Sequence, residues 1–336
     1  MRHFRSSLLI TLLGLSTAYY WAGLAGLLIA SILGVMEVSL SFDNAIVNAT
    51  VLKNMSENWQ RRFLTWGMLI AVFGVRFLFP LLIVAVVTGH SLQYVTFMAL
   101  ENPDEYARHI EAAHVQISAF GAMYLIMVFF SFLFQEERSL HWLGWIERKL
   151  GRMGKLESIE VVLALSALLI AQNFLPTEQR LASVIAGMAG VILFVLVKSL
   201  SILFEAPEQA ANAAHKTGFI SFLYLEMLDL SFSFDGVIGA FAITKDVVVI
   251  MLGLAIGAMF VRSLTVFLVH KSTLDEYLYL EHGAHYAIGA LAVLMLVDMS
   301  VHVPELITGL TGISFILLSL WSSIRHRRRR PQLKAT

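Results

Sequence analysis

Two short acidic stretches of the chain share one pattern of residue types. Residues 37–43 and 229–235 both read acid, any residue, serine, apolar, serine, phenylalanine, aspartate, and they lie 192 residues apart. Glu37 and Asp43 are the acids of the first copy, and Asp229 and Asp235 are those of the second. Each copy sits within a long apolar run, where a carboxylate is costly to place, so these acids are functional candidates. The alternative is that each acid only balances a buried arginine.

The side chains of the two copies predict a metal site built from oxygen. On a regular helix, Glu37, Ser41 and Asn44 share one face. The second copy repeats that spacing from Asp229, and Glu226 lies three residues before it. Carboxylate, hydroxyl and amide oxygens suit Mg²⁺, Ca²⁺ or Mn²⁺ better than Zn²⁺ or Cu²⁺. Protons can compete for such clustered carboxylates. The predicted metal ligands are Asp43, Asn44, Asp235, Glu37 and Asp229.

Two arginines repeat in the same order as the motif. Arg76 follows the first copy and Arg262 follows the second, each on the next apolar segment, 186 residues apart. A guanidinium stays charged even when buried. Each arginine could therefore pair with a motif carboxylate while no metal is bound, as a gating or charge partner, and Glu226 could act in the same way. An ion pair that serves helix packing alone is an equally good interpretation.

A pair of histidines stands apart from the acids. His282 and His285 follow Glu281 at the start of a late apolar segment. One interpretation makes them pH sensors or a point of metal entry at the inner mouth. The other gives them a structural or solvent-facing role, which is the commoner one for histidines away from a main cluster.

The composition indicates a membrane protein. Of the 336 residues 58% are hydrophobic and 14% are charged, the mean hydropathy is +0.75, and the formal net charge is +0. A soluble domain would carry about 25% charged residues. Apolar runs of roughly 20 residues, long enough to cross a bilayer, recur along the chain. There is no cysteine, so the chain has neither disulfides nor thiolate ligands.

We therefore expect an all-α polytopic membrane protein with about ten transmembrane helices. The second is long enough to tilt or break, and a break near its Ser-apolar-Ser-Phe segment would bring the acids towards one cavity. The predicted spans are residues 4–20, 22–51, 66–87, 114–134, 158–173, 181–204, 218–243, 247–270, 283–299 and 306–324.

The distribution of basic residues supports this count. With a cytoplasmic N-terminus, 18 of the 24 basic residues fall on the cytoplasmic side. Arg108, Arg180 and Lys245 fall outside, and Arg76, Lys198 and Arg262 fall within spans. This asymmetry satisfies the positive-inside rule and places both termini in the cytoplasm, with a bacterial inner (plasma) membrane as the expected location. We expect the first apolar segment to be retained rather than cleaved as a signal peptide.

The repeated markers divide one integral membrane domain, residues 1–336, into two halves. Repeat one covers residues 1–174 and repeat two covers residues 175–336. With five spans in each half, the halves must enter the membrane in opposite senses. Inverted repeats of this kind occur in secondary transporters, whose sites lie at the midplane where the halves meet.

The motif also resembles a known family. Residues 41–47 look like the Ser-x-Asp-Asn-Ala motif of TerC-like integral membrane proteins, and residues 234–235 with 241–244 look like that family's second motif. Residues 281–290 resemble a TerC-allied branch that is uncharacterised. The resemblance implies membership of the LysE transporter superfamily, and it carries over Asp43, Asn44 and Asp235 as ion ligands. Several relatives are tied to Mn²⁺ efflux, and the family name comes from tellurite resistance. Two features depart from the pattern: Gly236 replaces a serine with no proline after it, and Glu37 and Asp229 are extra acids.

The sequence thus predicts a secondary transporter that exports a divalent metal ion, most of all manganese. We expect no cofactor beyond the transported ion, no enzyme activity and no nucleic-acid partner. The expected partners are the metal ion and the lipid bilayer, and homo-oligomers stay open.

Two alternatives come from other classes. The first is an intramembrane aspartyl-type enzyme with Asp43 and Asp235 as its dyad, although two acids suffice for a dyad and here there are four. The second is a membrane partner protein in a metal or tellurite stress complex, for which the acids would be dispensable.

Overall fold

The computed structural model describes residues 4–67, 69–135, 140–154, 156, 158–204, 210–270 and 277–329. Within these ranges every regular element is a helix. Two π-helical segments, Phe63–Gly67 and Ile70–Leu78, connect α3 with α4, and a 3₁₀ turn, Gln172–Phe174, follows α8. The α-helices are α1 (Arg5–Leu40), α2 (Phe42–Leu52), α3 (Glu57–Arg62), α4 (Phe79–Thr88), α5 (Leu92–Glu101), α6 (Pro103–Leu133), α7 (Trp145–Met153), α8 (Ile159–Ala171), α9 (Thr177–Phe204), α10 (Ala210–Ile243), α11 (Val247–His270), α12 (Leu280–Asp298) and α13 (Glu305–Arg329).

Seven helical segments in the described part of the chain are long and apolar enough to cross a membrane. They lie at Arg5–Leu40, Glu57–Val86, Pro103–Leu133, Thr177–Leu200, Val247–Val269, Leu280–Asp298 and Leu306–Arg327. Large apolar side chains such as Leu9, Leu181 and Leu306 are exposed on the outside of the bundle, as a lipid environment requires. The structure is therefore that of a multi-pass helical membrane protein, as the composition predicted.

The first helix folds back on itself. Ala22 and Gly23 leave helical geometry, and Gly23 has a φ of +64°, which favours glycine. A Cβ added to Gly14 or to Gly34 would lie 3.0 or 3.2 Å from side-chain atoms of Ile256. Twenty residues of straight helix would separate these glycines by about 30 Å. Residues 5–21 and 24–40 are therefore two arms of a hairpin, and its turn falls between the first two predicted spans.

The predicted break in the first motif copy is found at Ser41. Its backbone angles of φ −102° and ψ 16° separate α1 from α2. Just beyond the break, the N–H of Asn44 donates to Asp43 Oδ1 at 2.9 Å. The second copy differs, because α10 runs without interruption from Ala210 to Ile243. Only the first copy therefore offers a helix N-terminus at its aspartate.

The packing of α6 against α12 forms the centre of the largest apolar core. At one end the rings of Phe132 and His285 stack with centroids 3.8 Å apart. At the other end, His114 Nε2 lies 2.6 Å from Asp298 Oδ2. Contacts that run from residue 132 with 285 to residue 114 with 298 show that the two helices are antiparallel. The motif helices α2 and α10 pack around this pair.

Candidate functional site

One arginine joins the acids of both motif copies. Arg76 lies on the second π-helical segment, Glu37 near the end of α1 and Asp229 on α10. The Arg76 guanidinium donates through Nη2 to Glu37 Oε1 and through Nη1 to Asp229 Oδ2, the latter at 3.4 Å. The side chains of Arg76 and Glu37 are 2% and 1% exposed. The structure thus brings together three residues that the sequence singled out, as ion-pair partners.

The polar face predicted for the first copy is confirmed. Ser41 Oγ donates to Glu37 Oε1 at 3.1 Å, and Asn44 Nδ2 donates to Asp229 Oδ1 at 2.9 Å. The face therefore meets α10 directly. Because the Asn44 amide nitrogen binds Asp229, its oxygen is left as a potential ligand, and this buried atom has no hydrogen-bond partner among the described residues.

Two glycines let the neighbouring helices approach Glu37. A Cβ added to Gly236, in the second motif copy, would lie 2.6 Å from Glu37 Oε2. A Cβ added to Gly257 on α11 would lie 2.4 Å from the Cβ of Glu37. The Cβ at Gly257 would meet the stem of Glu37 and the backbone carbonyl of Gly34, so this position needs glycine, whereas the Cβ at Gly236 would displace only the carboxylate end of Glu37. The expectation that Gly236 eases a close helix approach is therefore confirmed.

A small cavity of about 40 Å³ lies beside this network. Asn48, Glu226 and Arg262 line it together with Arg76 and Asp229. Asn48 Oδ1, Glu226 Oε2 and Arg262 Nη2 are buried and have no hydrogen-bond partner in the described part of the protein. One water needs roughly 10–15 Å³ of such space, so the cavity has room for a few waters or one small ion.

Asp43 is a buried carboxylate that pairs with neither arginine. It is 4% exposed, and its Oδ1 accepts only the neighbouring N–H of Asn44 among the contacts described. No basic side chain in the described ranges pairs with it. A Cβ added to Gly312 would lie 3.7 Å from its Oδ2, which places α13 beside the carboxylate. A buried carboxylate without a cation is unfavourable, so Asp43 is suited to bind one.

The centre as a whole carries more negative than positive charge. Four buried carboxylates belong to it among the described side chains, those of Glu37, Asp43, Glu226 and Asp229. Two guanidinium groups oppose them, those of Arg76 and Arg262. The side chain of Asp235 lies outside the described residues, so its predicted role as a ligand stays a prediction. Within the described ranges, no three His, Asp or Glu side chains form a group that could hold a metal ion.

His282 and His285 lie at the N-terminal end of α12, away from the central acids. His282 Nε2 lies 3.1 Å from the carbonyl of Leu140 and 3.7 Å from Glu147 Oε2. His285 stacks on Phe132. The structure therefore does not bring these histidines to the motif acids, and the roles of pH sensor or metal entry stay predictions.

Two polar residues of the structure were missed in the sequence. Asn48 lies one helical turn after Asn44, a spacing that could have revealed it. Glu147 is buried in the connector before α8. Its carboxylate accepts the N–H groups of Trp142 and Leu143 at 2.9 and 3.1 Å and the hydroxyl of Tyr286 at 3.0 Å. Glu147 lies in a basic polar segment, where no pattern indicated burial.

Fold and site together define a class, that of multi-pass helical membrane proteins with a charged centre inside the bundle. Within this class, the chain belongs to the family described as Protein of unknown function (DUF475), which matches residues 42–330. The match begins one residue before Asp43 and includes the second motif copy. No curated protein and no solved structure matches the chain.

Proposed function

We propose that this protein is a secondary transporter that exports a divalent metal ion, with Mn²⁺ as its principal substrate. The observation that carries the proposal is the buried Asp43 carboxylate, which has no basic partner in the described structure. It is one of four buried carboxylates in a centre that holds two guanidinium groups among the described side chains. A divalent cation would balance the excess charge of the described side chains.

Arg76 balances the charge of this centre while no substrate ion is bound. While no ion is bound, the guanidinium neutralises Glu37 and Asp229. An incoming cation competes with Arg76 for these two carboxylates. A ligand shifts a two-state equilibrium only through its different affinities for the two states. The cation binds more tightly to the state in which the guanidinium has moved away from the two carboxylates, so displacement of Arg76 provides this difference in affinity.

The choice of ion follows from the donor atoms. Asp43, Asn44 and Asn48 on α2 and Glu226 and Asp229 on α10 present oxygen only. Such oxygen sites suit Mn²⁺, whereas Zn²⁺ and Cu²⁺ prefer sites with imidazole or thiolate ligands. Export as the direction of transport, and the link to TerC-like proteins and the LysE superfamily, come from the resemblance of the motif.

We also propose that the fold has ten spans in two inverted halves, with both termini in the cytoplasm. The relative directions of three pairs of helical segments support it. Phe222 and Asp229 of α10 meet Phe63 and Arg76 in the same order, so those segments are parallel. Residues 30 and 37 meet Gly253 and Gly257 of α11 in the same order. The corresponding helices α6 and α12 are antiparallel, as inversion requires.

The experiment is a measurement of cellular metal content by element. Under Mn²⁺ stress, cells that express the protein should hold less Mn²⁺ than cells without it, with Zn²⁺ and Cu²⁺ unchanged. Unchanged Mn²⁺ with and without the protein would refute the proposal. Normal Mn²⁺ lowering by Asp43→Asn would favour the partner-protein alternative, because that function does not need the acids.

A further inference from the structure

A second and larger cavity lies between the two halves of the protein. Its volume is about 310 Å³. The first half contributes residues of α2 and α6, and the second half contributes residues of α9, α10 and α12. Its lining is polar in part, and the polar side chains are those of Ser131, Gln135, Lys198, Ser221, Tyr224, Glu281 and His285.

The cavity adjoins the central site along two helices. On α2, Val51 lines it and Asn48 lines the small central cavity, three residues away. On α10, Tyr224 lines it and Glu226 lines the central cavity, two residues away. Along both helix axes the two linings are therefore less than one turn apart. Tyr224 and Glu226 point to nearly opposite sides of α10, whereas Asn48 and Val51 lie on one side of α2, so α2 is the wall that the two cavities share.

On all five helices, the residues that line this cavity lie towards one side of the membrane. Val51, Gln135 and Lys198 come near the C-terminal ends of their helices, and Ser221 and Glu281 lie towards the N-terminal parts of theirs. The distribution of basic residues independently predicts that each of these ends is cytoplasmic. The cavity is thus on the inner side of the central acids.

The size and the ligands of the cavity fit a hydrated cation. By the measure of roughly 10–15 Å³ per water used above, it has room for more than the six waters that surround a small divalent ion. Lys198, which also lines the cavity, lies 3.2 Å from Glu160 Oε1, and this carboxylate offsets its charge. Glu281 and His285 stand one turn apart on α12. His285 Nδ1 donates to the carbonyl of Glu281 at 2.9 Å.

We propose that this cavity is the inner vestibule through which a hydrated divalent cation reaches the central acids, and that Glu281 and His285 are its first ligands. The proposal rests on the proposed function for the identity of the cation. Stacking of His285 on Phe132, with ring planes 10° apart, fixes the imidazole in place. A carboxylate and an imidazole bind more weakly than the central cluster, so an ion can move inwards from them.

The test uses the absence of cysteine in the chain. Ser131→Cys and Ser221→Cys each place one thiol in the cavity, with little change in volume. In membrane vesicles both thiols should react with a charged, membrane-impermeant reagent applied from the inner side. Ser166→Cys is the matched control, because Ser166 is exposed on the lipid-facing side of α8 and should stay unreactive. Size-exclusion chromatography of each variant verifies folding.

Mn²⁺ alone should slow the reaction of Ser221→Cys severalfold, and this protection should be lost when Glu281→Gln or His285→Ala is added. No reaction from the inner side, or reaction from the outer side only, would overturn the vestibule. Protection that survives both added substitutions would overturn the two ligands. Intact protection in a protein that moves no Mn²⁺ would support the vestibule and refute the proposed transport, so the two failures are distinguishable.

Discussion

Arg76→Gln removes the guanidinium that bridges Glu37 and Asp229. Both acids keep a neutral partner, since Ser41 still donates to Glu37 and Asn44 still donates to Asp229. Neither contact supplies a positive charge. The substitution therefore leaves two buried carboxylates near each other without the cation between them.

The magnitude follows from the burial of this network. Removing one partner of a buried ion pair lowers the free energy of unfolding by about 3–5 kcal/mol, because the remaining charge is left uncompensated. At 1.4 kcal/mol for each tenfold change, the unfolded fraction should rise by roughly a hundredfold to a few thousandfold. Glu37→Gln should cost less, because Arg76 then keeps Asp229 and the carbonyl of Ala71 at 2.8 Å.

The double variant Glu37→Gln/Arg76→Gln separates the ion pair from other effects. It removes one carboxylate together with the guanidinium, so it should be more stable than Arg76→Gln alone. The changes in the free energy of unfolding at two residues in contact are not additive, so the loss in the double variant should be smaller than the sum of the two single losses. Lys198→Gln is the control, since its pair with Glu160 is partly exposed and such pairs contribute about 0–1 kcal/mol.

The assay is denaturant unfolding of the purified protein in mixed micelles, followed by tryptophan fluorescence, with abundance in the membrane as a second measure. Arg76→Gln with the stability of the wild type would refute the reasoning. So would a double variant whose loss equals the sum of the two single losses, since the residues would then act independently.

Two further predictions concern packing and topology. Gly257→Ala should lower the free energy of unfolding by about 1–3 kcal/mol in the same assay, because its Cβ would overlap that of Glu37. Gly309→Ala is the control and should be close to neutral, because the nearest neighbour of its Cβ would be 3.4 Å away. Single cysteines that replace Asp104 and Lys149 should react with impermeant thiol reagents from the outer and the inner side, respectively. Reaction of both from one side would rule out the proposed inverted arrangement.

The sequence predicted the parts of the site that depend on helical spacing. Glu37, Ser41 and Asn44 share a face because four and three residues each make about one turn, and the structure confirms it. The pairing of Arg76 with motif acids was also predicted, and it fits both interpretations, a gating partner and an ion pair for helix packing.

Other parts of the site depend on irregular backbone and on long-range packing. Arg76 reaches two acids from a π-helical segment, whose extra residue per turn has no signature in the apolar pattern. The turn at Gly23 divides residues 5–40 into two helical arms, although only two residues leave helical geometry. Glu147 is buried through contacts with Tyr286 on a distant helix, which no local pattern reveals.

The most direct test of the central claim is Mn²⁺ flux into liposomes that contain the purified protein, measured per folded molecule. The wild type and Asp104→Asn, a control on an exposed carboxylate that pairs with Lys245 at 2.5 Å, should transport at the same rate. Asp43→Asn should abolish the flux while it folds normally, because the carboxylate that lacks a basic partner is then neutral. Adding Arg76→Gln should not restore the flux, since Arg76 pairs with Glu37 and Asp229 instead. Full flux through folded Asp43→Asn, or no flux through the wild type, would contradict the proposed metal site.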